Sequence, residues 1–368
     1  MGVGQPLSPA LDAPGNERRG DPAAAQGYDW ALVTQPRPPD MPRQRVRDFL
    51  EQRQVAVYFG AVAAAAVLAW RVPASAALAP AIDPLLGFML FVTFLQVPLT
   101  ELRRAMANLR FLAALLVSNF IAVPLLVACL LPWLPGAPLA RAGVLLVLLT
   151  PCIDYVVTFA HLGRADARPL LAATPILLAA QMLLLPVYLG VFLGEEAAGL
   201  VHWGPFLHAF IWLIAVPLAL AAIVQAAAAR SRAMDTAASL LGLLPVPATA
   251  LVLFVVVAAV GPRLGPAFEE VRAVAPVYLA FAVLAPAIGW GIGRLWRLPA
   301  DQARAVAFST ATRNSLVVLP LGLAIPGAVP LLPAVIVAQT LVELLSELIY
   351  IRVLPKLGGP RRAANTRE

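Results

Sequence analysis

Long apolar runs separated by short polar connections dominate the chain. The runs lie at roughly 54–70, 82–99, 111–132, 139–160, 169–193, 204–229, 237–260, 273–293, 302–326 and 331–353. Each is close to the roughly 20 residues that a helix needs to cross a bilayer core. Helix is also the structure that satisfies its own backbone groups in lipid. The pattern therefore predicts an all-α integral membrane protein with ten transmembrane helices.

The flanking segments read differently. Residues 1–42 are rich in Pro, Gly and Ala, without the basic start and apolar core of a signal peptide, and predict a disordered tail. Arg43, Arg45, Arg47 and Arg53 make residues 43–53 a basic lead-in that holds a helix start at the cytoplasmic surface. Residues 355–368 read as a cytoplasmic C-terminal tail. With the amino terminus inside, the inner connections carry Arg103, Arg104, Arg110, Arg164, Arg168, Arg230, Arg232, Arg294, Arg297 and Arg304. The outer ones carry only Arg71, Arg141, Arg263 and Arg272. This asymmetry places both termini in the cytoplasm of a cell-membrane protein. Five spans in 54–194 and five in 203–354 then run in opposite senses, the arithmetic of an inverted repeat with a transport site at its midplane.

Composition supports the lipid reading. The 368 residues are 61% apolar and 13% charged, against about a quarter charged in soluble domains. The net charge of +7 sits in the connections and forms no dense basic patch, which argues against nucleic acid as a partner. Cys129 and Cys152 lie inside apolar runs, so no disulfide framework is expected.

Charge inside the spans carries the functional signal, because an ionisable residue at mid-bilayer costs roughly 2.5–3.5 kcal/mol. Asp154 lies in the fourth span, Arg313 in the ninth, and Glu343 and Glu347 in the tenth. Glu347 is close enough to the cytoplasmic end to snorkel; Glu343 lies deeper, one turn after Gln339. Pro151 removes a backbone donor from the fourth span and predicts a break, tolerated only where it lines a cavity or is buried in protein. The ninth span carries Ser309, Thr310, Thr312, Arg313, Asn314 and Ser315 where apolar residues are expected. Fourth and ninth spans hold equivalent places in the two halves, so a lone acid and a lone base occupy symmetry-related helices. Mutual pairing of Asp154 with Arg313 explains both.

At these residues the sequence resembles the bile acid:sodium symporter superfamily, and within it the arsenical-resistance (arsenite efflux permease) branch. The stretches are Asn119-Phe-Ile-Ala-Val-Pro124, Asp154-Tyr-Val-Val-Thr-Phe159 and Arg313-Asn314-Ser315. Pro151-Cys152 and Leu341-Val342-Glu343 resemble the arsenical branch in particular. The resemblance implies a core domain of helices 3–5 and 8–10, a panel domain of helices 1, 2, 6 and 7, and broken, crossing helices 4 and 9. It also marks Asn119, Thr158 and Ser309 as ion-site-like positions. Sodium-coupled members carry Glu at the Ser309 position, Gln at Arg313 and Asn119, and Ser-Asn at Asp154-Tyr155.

The expected function is secondary active transport, most simply arsenite export by proton-coupled alternating access outside the usual sodium sites. Cys152, Asp154, Tyr155, Arg313, Asn314, Ser315 and Glu343 are the expected transport or substrate-binding residues. Arsenous acid is neutral at pH 7 and thiophilic, so a single Cys152 thiol would make a transient arsenic contact, and a proton moving through Asp154 or Glu343 would drive export. The alternative cargo is an organic anion held by Arg313, with sodium coupling retained. No cofactor is expected. An enzyme is not expected either, because the spans hold no His-Glu-x-x-His, no Gly-x-Ser-x-Gly and no aspartate cluster.

Overall fold

The computed structural model describes residues 41–96, 108–153, 155–194, 208, 211–323, 325, 327–329 and 331–358. The expected disordered tail therefore lies outside the described residues, apart from the helix start at Met41, as do Arg103, Arg104, Asp154 and positions 359–368 of the C-terminal tail. Residues Val46–Glu368 form one compact unit that carries every feature of the site.

Helices and their connections make up the described residues, which hold no strand and one isolated backbone bridge. In chain order they are α1 (Met41–Arg71), a 3₁₀ segment (Pro73–Ala81) leading into α2 (Ile82–Phe94), α3 (Leu109–Val117), α4 (Val123–Leu130), α5 (Pro138–Leu148), α6 (Val156–Leu162) and α7 (Ala167–Leu193). There follow α8 (Val216–Ala228), α9 (Arg232–Leu241), α10 (Pro245–Val260), α11 (Leu264–Leu295), α12 (Ala300–Ala311), α13 (Ser315–Leu323) and α14 (Leu331–Val353).

Six stretches are continuous, long and apolar enough to cross a membrane: Arg53–Arg71, Pro73–Phe94, Leu109–Trp133, Ala167–Leu193, Ala267–Leu295 and Leu331–Lys356. Of the other expected spans, the sixth begins in residues outside those described, and three are interrupted. The seventh bends by 43° between α9 and α10, where Gly242 and Pro245 meet. The fourth splits into α5 and α6, and the ninth into α12 and α13. The third carries a π-helical turn at Ser118–Ala122, two residues before Pro124. Pro124 has no N–H to give, and the widened turn absorbs the missing bond.

α11 packs on α12 through Gly289 and Gly293. A Cβ added at Gly289 would stand 2.9 Å from the Ala307 Cα, and one at Gly293 would stand 2.8 Å from the Ala303 Cα. Small residues four apart let two membrane helices approach backbone to backbone. This contact fixes the position of α12, whose C-terminal end forms part of the site.

Candidate functional site

The site is built where the two broken spans meet. Pro151 and Arg313 form an antiparallel backbone bridge. Cys152 N donates to Thr312 O at 3.0 Å, and Asn314 N donates to Thr150 O at 2.9 Å. Two unwound segments thus satisfy each other's backbone groups in the protein interior, the condition for tolerating non-helical chain at membrane depth. Pro151 sits opposite Arg313 without needing to donate, which is why a proline fits there.

Arg313 is fully buried. Its Nη2 donates to Asn119 Oδ1 (2.8 Å), Ser309 O (2.7 Å) and Thr310 O (2.7 Å), and its Nη1 donates to Leu148 O (3.3 Å). The guanidinium carbon lies 5.4 Å from the Phe281 ring centre. The carbonyls belong to the last turns of α5 and α12, where unpaired oxygens and the helix dipole favour a cation. Asn119 comes from the π-turn and also donates Nδ2 to Ser309 Oγ at 3.1 Å. Asp154, the acid expected to pair with Arg313, lies outside the described residues. The described hydrogen bonds of the guanidinium all run to uncharged oxygens.

Glu343 stands on the other side of the bridge. Its Oε1 accepts from the Tyr155 hydroxyl at 2.5 Å, and its Oε2 accepts from Arg313 N at 2.7 Å and Gln339 Nε2 at 2.6 Å. Ser315 Oγ donates to Gln339 Oε1. Three donors converging on one carboxyl satisfy it as an anion.

Glu347, one turn later, departs from its expected place at the cytoplasmic interface. It is fully buried. Thr312 Oγ1 lies 2.6 Å from Glu347 Oε1 and 2.7 Å from Phe308 O. One hydroxyl hydrogen cannot serve both acceptors, and a proton on the Glu347 carboxyl, donated to Thr312 Oγ1 while the hydroxyl donates to Phe308 O, satisfies both contacts. Glu347 Oε2 is buried with no partner, as a neutral carboxyl would leave it.

A cavity of about 180 Å³ opens beside the α5–α6 break. Its polar lining is Gln54 and Tyr58 from α1, Thr93 and Gln96 from the end of α2, Tyr155 and Thr158 around α6, and Thr249 from α10. No charged side chain lines it among the described residues. Gln54 is buried and its Nε2 has no partner.

The structure thus brings together Cys152, Tyr155, Arg313, Asn314, Ser315, Glu343, Asn119 and Ser309, and sets Thr158 apart on the cavity wall. Cys152 is fully buried in the bridge rather than on the cavity surface. Asn314 is buried too, with Nδ2 unpartnered. Sequence reading missed Gln54, noted Gln339 and Thr312 without assigning them to the site, and misplaced Glu347. The signal was present: Gln339, Glu343 and Glu347 recur at i, i+4 and i+8, one face of a helix. Among the described residues no group of His, Cys, Asp and Glu is placed to hold a metal.

Residues 83–265 match the sequence model described as the Sodium Bile acid symporter family. The chain belongs to the bile acid:sodium symporter superfamily. Members of this family are transporters and not enzymes, and with its apolar helices the chain is a multi-pass membrane protein. The matched stretch covers the first break and the cavity wall from Thr93 to Thr249, and lies before Arg313, Glu343 and Glu347. No curated protein matches the sequence.

Proposed function

We propose that this symporter-family chain is a proton-coupled secondary transporter that exports a small uncharged polar solute, arsenous acid being the cargo its sequence favours. The observation that carries this reading is the cavity beside the first break. It is lined by hydroxyls and amides, and no described lining residue is charged. At about 180 Å³ it falls below the roughly 300–1,000 Å³ of pockets for drug-sized ligands, so a steroid-sized anion does not fit. The organic-anion alternative rests on Arg313, whose guanidinium is enclosed and already bonded to four oxygens.

Two inverted five-helix repeats, with both termini cytoplasmic, accommodate the described helices. Breaks in the fourth and ninth spans, bridged at Pro151 and Arg313, support that arrangement. Glu347 is the proton carrier: it holds a proton in this state and touches Thr312 in the ninth-span break. Movement of α12 and α13 relative to α14 separates that contact and releases the proton. Cys152 meets arsenic only when the bridge opens, which suits a transient contact. A pairing of Asp154 with Arg313 in one state of the cycle belongs to the same reading.

Everted membrane vesicles loaded in sodium-free buffer test the proposal. Accumulation of arsenite that collapses with an uncoupler is the expected result. Absence of accumulation under any gradient would remove arsenous acid as the cargo and leave the fold untouched.

A further inference from the structure

Sodium is the coupling cation that the family's name implies, and a hard cation of that kind needs a shell of oxygens. The oxygens that could supply one here are Asn119 Oδ1, Ser309 O, Thr310 O and Leu148 O, and all four are hydrogen-bonded to Arg313. A free cation does not fit where these residues stand.

We propose that the Arg313 guanidinium is a tethered cation filling an oxygen cage shaped for a free monovalent cation, so that this chain cycles with no sodium at that place. Three oxygens converge at 2.7–2.8 Å on Nη2, an atom that carries only two hydrogens. Nη1 reaches one oxygen at 3.3 Å, and Nε has no partner. A planar fork matched to directional acceptors would spread its five donors over them. Crowding of oxygens around one nitrogen, with another left bare, is instead the geometry of a site for a point charge. The oxygens come from the ends of two half-helices, α5 and α12, whose dipoles converge there, and from a π-turn side chain. The ring of Phe281 closes the remaining side.

Holding the cation covalently changes what the cage does. A dissociable ion would order the two half-helix ends only while bound. The tethered one orders them in every state, so cation binding contributes neither drive nor gating.

Thermal melting of the purified protein in sodium chloride against choline chloride at equal ionic strength reads this directly, in the wild type, Arg313→Lys and Arg313→Gln. The wild type is expected to melt at the same temperature in both salts. Arg313→Lys keeps a point charge with three hydrogens and is expected to remain indifferent. Arg313→Gln vacates the cage and adds a carbonyl oxygen, and is expected to gain a saturable upward shift in sodium. Saturable stabilisation of the wild type by sodium would overturn the proposal. A folded Arg313→Gln protein without any sodium response would also overturn it, as would failure of that variant to fold in sodium when Arg313→Lys folds. The readout uses no transported solute, so its outcome is independent of the arsenous acid assignment.

Discussion

Glu343 and Glu347 sit one turn apart on α14, yet replacing each by glutamine is expected to have opposite consequences. At Glu343 the carboxylate receives the Tyr155 hydroxyl, the Arg313 N–H and the Gln339 amide. A glutamine can keep its oxygen toward Arg313 N and Gln339, but its NH₂ then faces Tyr155, which turns to the Arg313 carbonyl 3.3 Å away. The NH₂ donates to the Tyr155 hydroxyl, so each partner stays bonded, but three charge-assisted bonds become neutral ones, each weaker by about 1 kcal/mol. The buried Arg313 also loses a nearby negative charge, one that touches its backbone N–H rather than its guanidinium. Over the three bonds the expected total is about 3 kcal/mol, a large share of the roughly 5–15 kcal/mol that holds a protein folded. At Glu347 a glutamine replaces a carboxyl that is already neutral. Its NH₂ donates to Thr312 Oγ1, while that hydroxyl continues to donate to Phe308 O. The expected change is within about 1 kcal/mol, the range of a conservative swap. Unfolding of the two variants in mixed micelles with increasing sodium dodecyl sulfate measures the difference. Equal losses, or a larger loss for Glu347→Gln, would refute the assignment of one anion and one neutral acid.

Other consequences are equally open to measurement. Gln54→Leu removes an amide whose Nε2 is buried without a partner, so the protein is expected to gain up to about 1–3 kcal/mol in the same unfolding assay while its apparent KM for the solute rises; a loss of stability would show the amide is bonded. Gly289→Ala places a Cβ 2.9 Å from the Ala307 Cα and 2.5 Å from Thr310 Oγ1, and overpacking of this kind costs about 1–3 kcal/mol, visible as a lowered melting temperature. Asn119→Ala removes the cage's one side-chain oxygen and the amide's bond to Ser309 Oγ but leaves Nη2 two carbonyls for its two hydrogens, so it is expected to cost about 0.5–1.5 kcal/mol, whereas a loss well above about 3 kcal/mol would mean the third oxygen holds the guanidinium in place. Cys152→Ser is expected to abolish arsenite resistance in cells while the protein still reaches the membrane; intact resistance would remove the thiol from the mechanism.

The breaks were legible in the sequence because they need unusual residues: Pro151 in one span, and a polar run from Ser309 to Ser315 in another. The cage was not, because three of its four oxygens are backbone carbonyls that every residue carries. Its single side-chain member, Asn119, owes its aim to a π-turn set up by Pro124. Glu347 was misread because distance from a span end was weighed above its spacing from Gln339 and Glu343. Gln54 went unnoticed at the start of the first apolar run, although with Tyr58 it forms an i, i+4 pair that points polar groups along one face. Six spans are continuous, and the interruptions fall where the sequence placed Pro or polar residues in an apolar run.

Coupling of solute export to proton movement without sodium is the centre of the account, and acridine orange fluorescence in everted vesicles measures it. Respiration acidifies the lumen and quenches the dye; arsenite is then added in choline buffer. Proton-coupled export predicts immediate dequenching in the wild type and none with Glu347→Gln. Dequenching that appears only when sodium is supplied, or that persists unchanged in Glu347→Gln, would contradict it.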